Sequence, residues 1–254
     1  NTKIVGYLTQ NQKPNFLFVH IPKSAGTFII KAMKRERKFK QGLFEGQHRP
    51  MWMLDELCKE HNIPIDTLYT FSVVRDPWAR MLSMYKYAVL NRSIFPQFTS
   101  TCSTERAYWP LTTDSIGRKA SAEFNTWIEW IYSDDFDHRK TLNKGRADAT
   151  TSRGEGNIWR DYFNNQSDYF KTKDGTAQYK VNKIIRVEDF GTQIKPFLEG
   201  VLGCTNVKPN AKVNTTDKRK HYSTFYNQQS IDLVSKHFSK DIEMFNYKFI
   251  KSAR

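Results

Sequence analysis

The stretch Asn15–Thr27, Asn-Phe-Leu-Phe-Val-His-Ile-Pro-Lys-Ser-Ala-Gly-Thr, decides the fold. Phe16 to Val19 is an unbroken apolar run, typical of a strand buried on both faces of a parallel sheet. Pro22 and Gly26 then interrupt the strand, because proline lacks a backbone donor and glycine adopts backbone conformations closed to other residues. From Thr27 the apolar positions have helical spacing. The sequence therefore predicts a strand, a tight loop and a helix in direct succession.

A strand, a loop with one lysine and a helix form a common arrangement for binding a phosphate-like anion. The loop amides and the positive end of the helix point at the anion, and Lys23 adds a full charge. The loop is not a Walker loop, since its lysine precedes its only glycine. The alternative is a plain strand–turn–helix joint whose lysine faces solvent.

This stretch resembles the 5′-phosphosulfate-binding loop of sulfotransferases, which has the form His-Ile-Pro-Lys-(small)-(Gly/Ala)-Gly-Thr. It is most similar to the branch that contains bacterial and carbohydrate sulfotransferases. Those enzymes take a sulfuryl group from 3′-phosphoadenosine-5′-phosphosulfate (PAPS) and release 3′,5′-diphosphoadenosine (PAP). The resemblance implies that Lys23 acts in both catalysis and cosubstrate binding. It also implies that the loop amides bind the phosphosulfate, namely those of Ser24, Ala25, Gly26, Thr27 and Phe28.

A second strand and helix follow at Leu68–Val74 and after Pro77. The stretch Phe71–Tyr87 resembles the family's 3′-phosphate-binding segment, apolar-Val-Arg-(Asp/Asn)-Pro-(aromatic)-x-Arg-x-x-Ser-x-Tyr. By residue match, Arg75 and Ser83 bind the 3′-phosphate; arginine suits this role because its planar fork offers paired donors. Both residues lie off the apolar face of the predicted helix, which is formed by Trp78, Met81, Leu82 and Tyr85. The alternative for Arg75 is an ion pair with Asp76 at the helix start.

His48 lies in the loop Gly46–Pro50, just before a predicted helix whose buried stripe is Met53, Leu54, Leu57 and Cys58. A histidine at such a position is often only a polar loop residue. Here the helix joins the first strand to the next, so the loop is expected at the edge of the same cleft. His48 also matches the histidine of the family's Gly-His segment, and the resemblance therefore implies that it is the catalytic base.

The remaining chain predicts further elements. Ser121–Tyr132 is predicted to be an amphipathic helix and Lys183–Val187 a third strand. Tyr222–Phe249 is predicted to contain a last helix followed by an ending that resembles the family's closing pattern. Gln166-Ser167-Asp168-Tyr169 resembles the family's segment before the last strand. Glu188 and Asp189 are better read as acids at a helix start than as an acid–base pair.

These elements predict an α/β fold with a P-loop-like central parallel sheet, helices on both faces, and a single domain over residues 1–254. The irregular stretches 91–118 and 137–156 are expected to be acceptor-side loops. Lys218 and Arg219 lie in a basic loop that, by the resemblance, closes over the nucleotide; a solvated linker is the alternative.

The net charge of +14 agrees with binding an anionic cosubstrate, but it also suits nucleic acid. Two alternatives therefore stand beside the sulfotransferase: a nucleotide-dependent phosphotransferase and a basic nucleic-acid-binding protein. The resemblance implies transfer to a hydroxyl, or an amine, of a carbohydrate or small-molecule acceptor. It implies no metal and no nucleic-acid partner.

Composition bears on the compartment as well. The three cysteines are far apart, and the six histidines form no metal-ligand pattern. A reducing, cytoplasmic setting is the simpler prediction, and the Golgi lumen is the alternative if an N-terminal anchor was trimmed. The sequence contains no membrane-spanning stretch. It does not predict the oligomeric state.

Overall fold

The computed structural model describes residues 8–9, 16–35, 39–40, 48–90, 118–132, 163–205, 207 and 221–252. The chain divides into two compact units. The first comprises Asn1–Asp76 and Asn165–Thr215, and the second comprises Pro77–Asn164 and Thr216–Arg254. The single domain expected from the sequence stays a prediction, because one domain can contain two compact units.

The first unit is built on a three-stranded parallel sheet. Its strands are β2 (Phe16–Val19), β4 (Tyr69–Val74) and β5 (Lys183–Arg186), with β4 in the centre. Phe16 lies opposite Tyr69, and Phe71 lies opposite Lys183. The predicted parallel α/β fold is therefore confirmed. A separate antiparallel pair is formed by β1 (Leu8–Thr9) and β3 (Phe39–Lys40).

One face of this sheet carries the core of the first unit. Phe16, Phe71 and Ile185, one residue from each strand, pack with Ile29 and Met33 of helix α1 (Gly26–Arg35). Two π-type helical segments after β5, Phe190–Ile194 and Phe197–Val201, close this core. Each large apolar side chain buried in this way contributes about 1.5–3 kcal/mol. Gly203 follows the helical region with a φ of 61°, a conformation in which glycine commonly ends helices.

Helix α2 (Met51–Glu60) differs from its predicted pattern. Its buried residues are Met51, Leu54, Asp55 and Cys58, whereas Met53 and Leu57 are only half-buried. The buried stripe is rotated because the Asp55 carboxylate is satisfied inside the protein. It accepts hydrogen bonds from Lys59 Nζ at 2.8 Å and from Tyr179 Oη at 2.9 Å. A buried acid with two donors is stable where an unpartnered acid would not be.

The second unit is helical. Its described helices are α3 (Pro77–Leu90), α4 (Arg118–Ile131), α5 (Gln228–His237) and α6 (Ser239–Met244). The predicted apolar face of α4 is confirmed, since Phe124, Trp127, Ile128 and Ile131 are all buried. The last helix predicted within Tyr222–Phe249 is present as two helices, α5 and α6. A 3₁₀ turn, Tyr222–Phe225, precedes α5, and the Asn227 side chain begins α5 by accepting the Ser230 N–H.

None of the helices in the described ranges is long and apolar enough to cross a membrane. Of the predicted acceptor-side loops, residues 91–117 and 137–156 lie outside the described residues, and Arg118 is the first residue of α4.

Candidate active site

The loop between β2 and α1 has an unusual backbone. Lys23 and Ala25 have φ values of 64° and 60°, in the left-handed region that residues with a Cβ seldom adopt. The prediction that Gly26 supplies the unusual conformation was therefore wrong. Gly26 is the first residue of α1, and its Cα lies against the His20 ring. A Cβ at this position would overlap His20 Cδ2 and Nε2. Glycine is needed here for close approach.

His20 connects this loop to His48. The two imidazoles meet edge to face, with ring centroids 4.4 Å apart, and the ring of Phe18 stacks on His20 from another side. Burial lowers the pKa of His20 to about 4, so its imidazole is neutral at physiological pH. Its Nδ1 is buried without a hydrogen-bond partner in the described part of the chain. The predicted base, His48, is half-buried, and its ring contact with His20 places it beside the loop between β2 and α1.

Lys23 and Arg75 come together from the ends of two neighbouring strands. Arg75 Nη1 donates a hydrogen bond to the Lys23 carbonyl oxygen at 3.3 Å. Burial, and secondarily the positive charge of Arg75, lower the pKa of Lys23 to about 8. Lys23 and Arg75 therefore lie beside each other in the structure. A bound anion would favour the charged form of Lys23 and relieve the repulsion from Arg75.

A third residue, Gln166, joins the loop after β2 to the backbone that follows β4. Gln166 is fully buried in a 3₁₀ turn, Gln166–Phe170. Its Oε1 accepts hydrogen bonds from Ser24 Oγ at 2.9 Å and from the Arg75 N–H at 2.8 Å. Its Nε2 donates to the Arg75 carbonyl oxygen at 2.8 Å. The sequence placed Gln166 in a matching segment but gave it no role. A local pattern could not have revealed partners so distant in the chain.

Two predicted loop ligands are already engaged in the structure. The Ser24 hydroxyl is buried and donates its proton to Gln166, so its side chain is directed away from solvent. The Phe28 N–H donates to the Ala25 carbonyl oxygen at 2.9 Å, as does the Ile29 N–H at 3.2 Å. Helix α1 thus satisfies two of its first N–H groups within the loop. Gly26 and Thr27 precede these donors at the helix start.

The remaining predicted site residues are Ser83, Lys218 and Arg219. Ser83 belongs to the second unit and is buried, as is every residue of α3 from Pro77 to Tyr85. Lys218 and Arg219 fall outside the described residues. Glu188 accepts a hydrogen bond from the Asp76 N–H at 2.9 Å and lies in a 3₁₀ turn, Val187–Asp189, which fits the interpretation as a helix start.

The fold and the site define a class of protein. A loop lysine, the start of α1 and Arg75 lie together at the carboxyl ends of parallel strands, where open α/β sheets bind ligands. This is a P-loop-like site for an anionic nucleotide.

Comparison with known proteins identifies the family. The family model described as "Sulfotransferase family" matches residues 7–248. The chain therefore belongs to the sulfotransferase family, whose members are PAPS-dependent transferases. No curated protein and no solved structure matched the chain. The family fixes the cosubstrate as PAPS and leaves the acceptor unidentified.

Proposed function

We propose that this sulfotransferase transfers the sulfuryl group of PAPS to a hydroxyl, or an amine, of a carbohydrate or small-molecule acceptor, with His48 as the base. The observation that carries the proposal is the contact series from His48 through His20 to Gly26. It sets an imidazole at the edge of the loop that the family uses for the phosphosulfate.

The residues present fit an anionic nucleotide. Lys23 is a half-buried cation beside Arg75, and burial together with the charge of Arg75 lowers its pKa to about 8. A phosphosulfate at this position would stabilise that charge. We expect the Gly26 and Thr27 N–H groups to donate to it at the positive end of α1. Arg75 would then pair with the 3′-phosphate through its planar fork.

The reaction needs positioning more than covalent chemistry from the protein. A bond from the acceptor oxygen to sulfur forms as the bond from sulfur to the 5′-phosphate oxygen breaks, which leaves PAP. Lys23 stabilises the charge that develops on the leaving and equatorial oxygens, as cations do in phosphoryl transfer. His48 takes the proton of the acceptor hydroxyl. His20 supports the His48 ring from its buried side.

The acceptor class rests on charge and on the resemblance. The net charge of +14 exceeds what one nucleotide needs and favours an anionic or carbohydrate acceptor over an apolar one. The cytoplasm remains our proposed compartment. Cys58 and Cys204, the free cysteines among the described residues, are both buried thiols, as expected in a reducing setting.

Two measurements test this function. Calorimetry should show that the protein binds PAP in preference to ATP and to duplex DNA. Transfer of ³⁵S from labelled PAPS should then be measured with neutral oligosaccharides, anionic polysaccharides, phenols and amines. We expect label in the carbohydrate acceptors, most strongly in the anionic ones. Equal binding of PAP and ATP would contradict the nucleotide assignment. Label in none of these compounds would contradict the acceptor class, and label in phenols alone would narrow it to small-molecule acceptors.

A further inference from the structure

We propose that Gln166 is a positioning residue that holds the phosphosulfate loop and the Arg75 backbone in a fixed relative position, so that both phosphates of PAP are bound together. The inference rests on the proposed function, because it assumes that these two segments bind the two ends of one nucleotide. Gln166 acts through its neighbours and is not a catalytic residue.

The geometry of the contacts supports this role. The Gln166 side-chain amide pairs with both the N–H and the C=O of Arg75, at 2.8 Å each. It therefore fixes the backbone of Arg75 directly after β4. The same Oε1 accepts the Ser24 hydroxyl at 2.9 Å, which ties the loop after β2 to this backbone. One side chain thus connects the ends of two neighbouring strands.

Only an amide of this length fills the position. Gln166 has 0 % of its surface exposed, so its oxygen and nitrogen must find their partners inside the protein. A glutamate would place a carboxylate against the Arg75 carbonyl oxygen and lose the donor. A methionine would keep the volume but leave Ser24 and the Arg75 backbone without these bonds. Asparagine is one methylene too short to keep all three contacts.

A second contact runs in parallel but is weaker. Arg75 Nη1 reaches the Lys23 carbonyl oxygen at 3.3 Å through a longer, half-buried side chain. The Gln166 contacts are shorter and come from a fully buried group, so we expect them to set the relative position. A ligand with both phosphates gains affinity from this alignment because the two binding segments need not be ordered on binding. A ligand with one phosphate gains little.

The test compares three ligands by calorimetry: PAP, AMP and adenosine 3′-monophosphate. In Gln166→Met we expect PAP affinity to fall about 10- to 100-fold, the scale of one or two lost buried hydrogen bonds. AMP and adenosine 3′-monophosphate should each change by less than about threefold, because each uses only one segment. The measured quantity is the ratio of PAP affinity to the single-phosphate affinities.

Two further variants separate positioning from general stability. Ser24→Ala removes only the hydrogen bond between the loop and Gln166 and should lower the same affinity ratio. The double variant Ser24→Ala/Gln166→Met should have a ratio no lower than that of Gln166→Met alone. Asn182→Ala is the matched control, since the Asn182 amide bonds Thr70 at the opposite end of β4. It should lower the melting temperature and leave the ratio unchanged.

The outcomes are distinguishable. If the parent protein does not prefer PAP over ATP, the proposed function fails. If the parent prefers PAP but Gln166→Met keeps the parent ratio, or loses affinity equally for all three ligands, the positioning role is overturned. Should Gln166→Met not fold, Ser24→Ala and its ratio decide alone.

Discussion

The Cα of Gly26 lies directly against the imidazole ring of His20, with no room between them for a methyl group. This contact predicts the effect of Gly26→Ala. The added Cβ would overlap His20 Cδ2 and Nε2, so the buried ring or the start of α1 must shift. Overpacking of this kind lowers the free energy of unfolding of a protein by about 1–3 kcal/mol. Chemical denaturation of the parent and the variant measures the difference.

Gly200→Ala is the control for this prediction. Gly200 lies in the helical segment Phe197–Val201, and a Cβ there would meet no atom within 4 Å. That variant should be neutral or more stable by about 0.5–1 kcal/mol, as is usual for alanine in a helix. The double variant His20→Ala/Gly26→Ala should lose less stability than the sum of its single variants, because His20→Ala removes the overlapping ring. Additive losses would show that the ring contact is not the cause.

The buried His20 also predicts how stability depends on pH. Its pKa is lowered from 6.5 to about 4 in the folded protein, so the unfolded chain binds a proton first as the pH falls. The contribution of the buried, neutral His20 to the free energy of unfolding is fully present above pH 6.5 and is lost between pH 6.5 and about 4. The full loss is about 3 kcal/mol by linkage. Urea denaturation of the parent and of His20→Asn at pH 7, 5.5 and 4.5 isolates this contribution. The difference in free energy of unfolding between the parent and the variant should become smaller as the pH falls. A constant gap would contradict a neutral buried His20.

Lys23 predicts a second pH dependence, in ligand binding. Its pKa is about 8 in the free protein, and a bound phosphosulfate or PAP would raise it. Binding therefore takes up a proton between the two pKa values. PAP affinity should be steady near pH 7 and fall as the pH rises above about 8. Calorimetry in buffers of different ionisation enthalpy counts the protons taken up at pH 8.5. In Lys23→Arg the uptake should disappear, because arginine stays charged. If Lys23→Arg takes up the same number of protons on binding PAP as the parent does, the proton binds to another group.

The sequence predicted the backbone of the site well, because each signal was local. A buried apolar run, a loop lysine and a helical period stand side by side at Phe16–Met33, and Arg75 directly follows the second strand. Parallel pairing of these strands brings Lys23 and Arg75 to one edge of the sheet. The neighbourhood of the two cations could therefore be predicted without any knowledge of side-chain contacts.

The sequence missed the features that depend on distant contacts. Gln166 reaches Ser24 and Arg75 across 142 and 91 positions, and no spacing rule indicates such a pair. His20 was read only as part of a motif, since its burial depends on Phe18, Gly26 and His48 together. The pattern of α2 was misread because Asp55 finds partners in Lys59 and in the distant Tyr179. Periodicity assumes that acids face water, and that assumption fails where donors are supplied inside.

Arg75 gives a prediction about ligand specificity. Arg75→Ala should weaken PAP binding by about 2–4 kcal/mol, the scale for losing a partly buried charge-assisted pair. Adenosine-5′-phosphosulfate lacks the 3′-phosphate, so its affinity should change much less. Calorimetry with both ligands measures the two losses. Lys183→Ala, at the start of β5 and so at the opposite edge of the sheet, serves as a control for the loss of one positive charge. Equal losses for the two ligands would show that Arg75 does not recognise the 3′ position.

His48 gives the sharpest test of the chemistry. A hydroxyl acceptor is too weakly acidic to lose its proton unaided before it attacks sulfur, and a neutral imidazole is suited to take that proton. His48→Ala should therefore lower turnover by about 10²- to 10⁴-fold and leave PAP affinity nearly unchanged. Activity of the parent should also fall at acid pH, because a protonated imidazole cannot accept the proton.

The competing assignment is that His48 only shapes its loop and that another residue is the base. His20 is a poor candidate, since it is buried and its pKa of about 4 makes it a weak base. Single-turnover rates of His48→Ala and His48→Gln across pH distinguish the two assignments. Loss of turnover in both variants, together with loss of the acid limb of the pH profile, identifies His48 as the base. If both variants keep near-parent rates and an unaltered acid limb, the base is elsewhere, and the contact between His48 and His20 serves the loop alone.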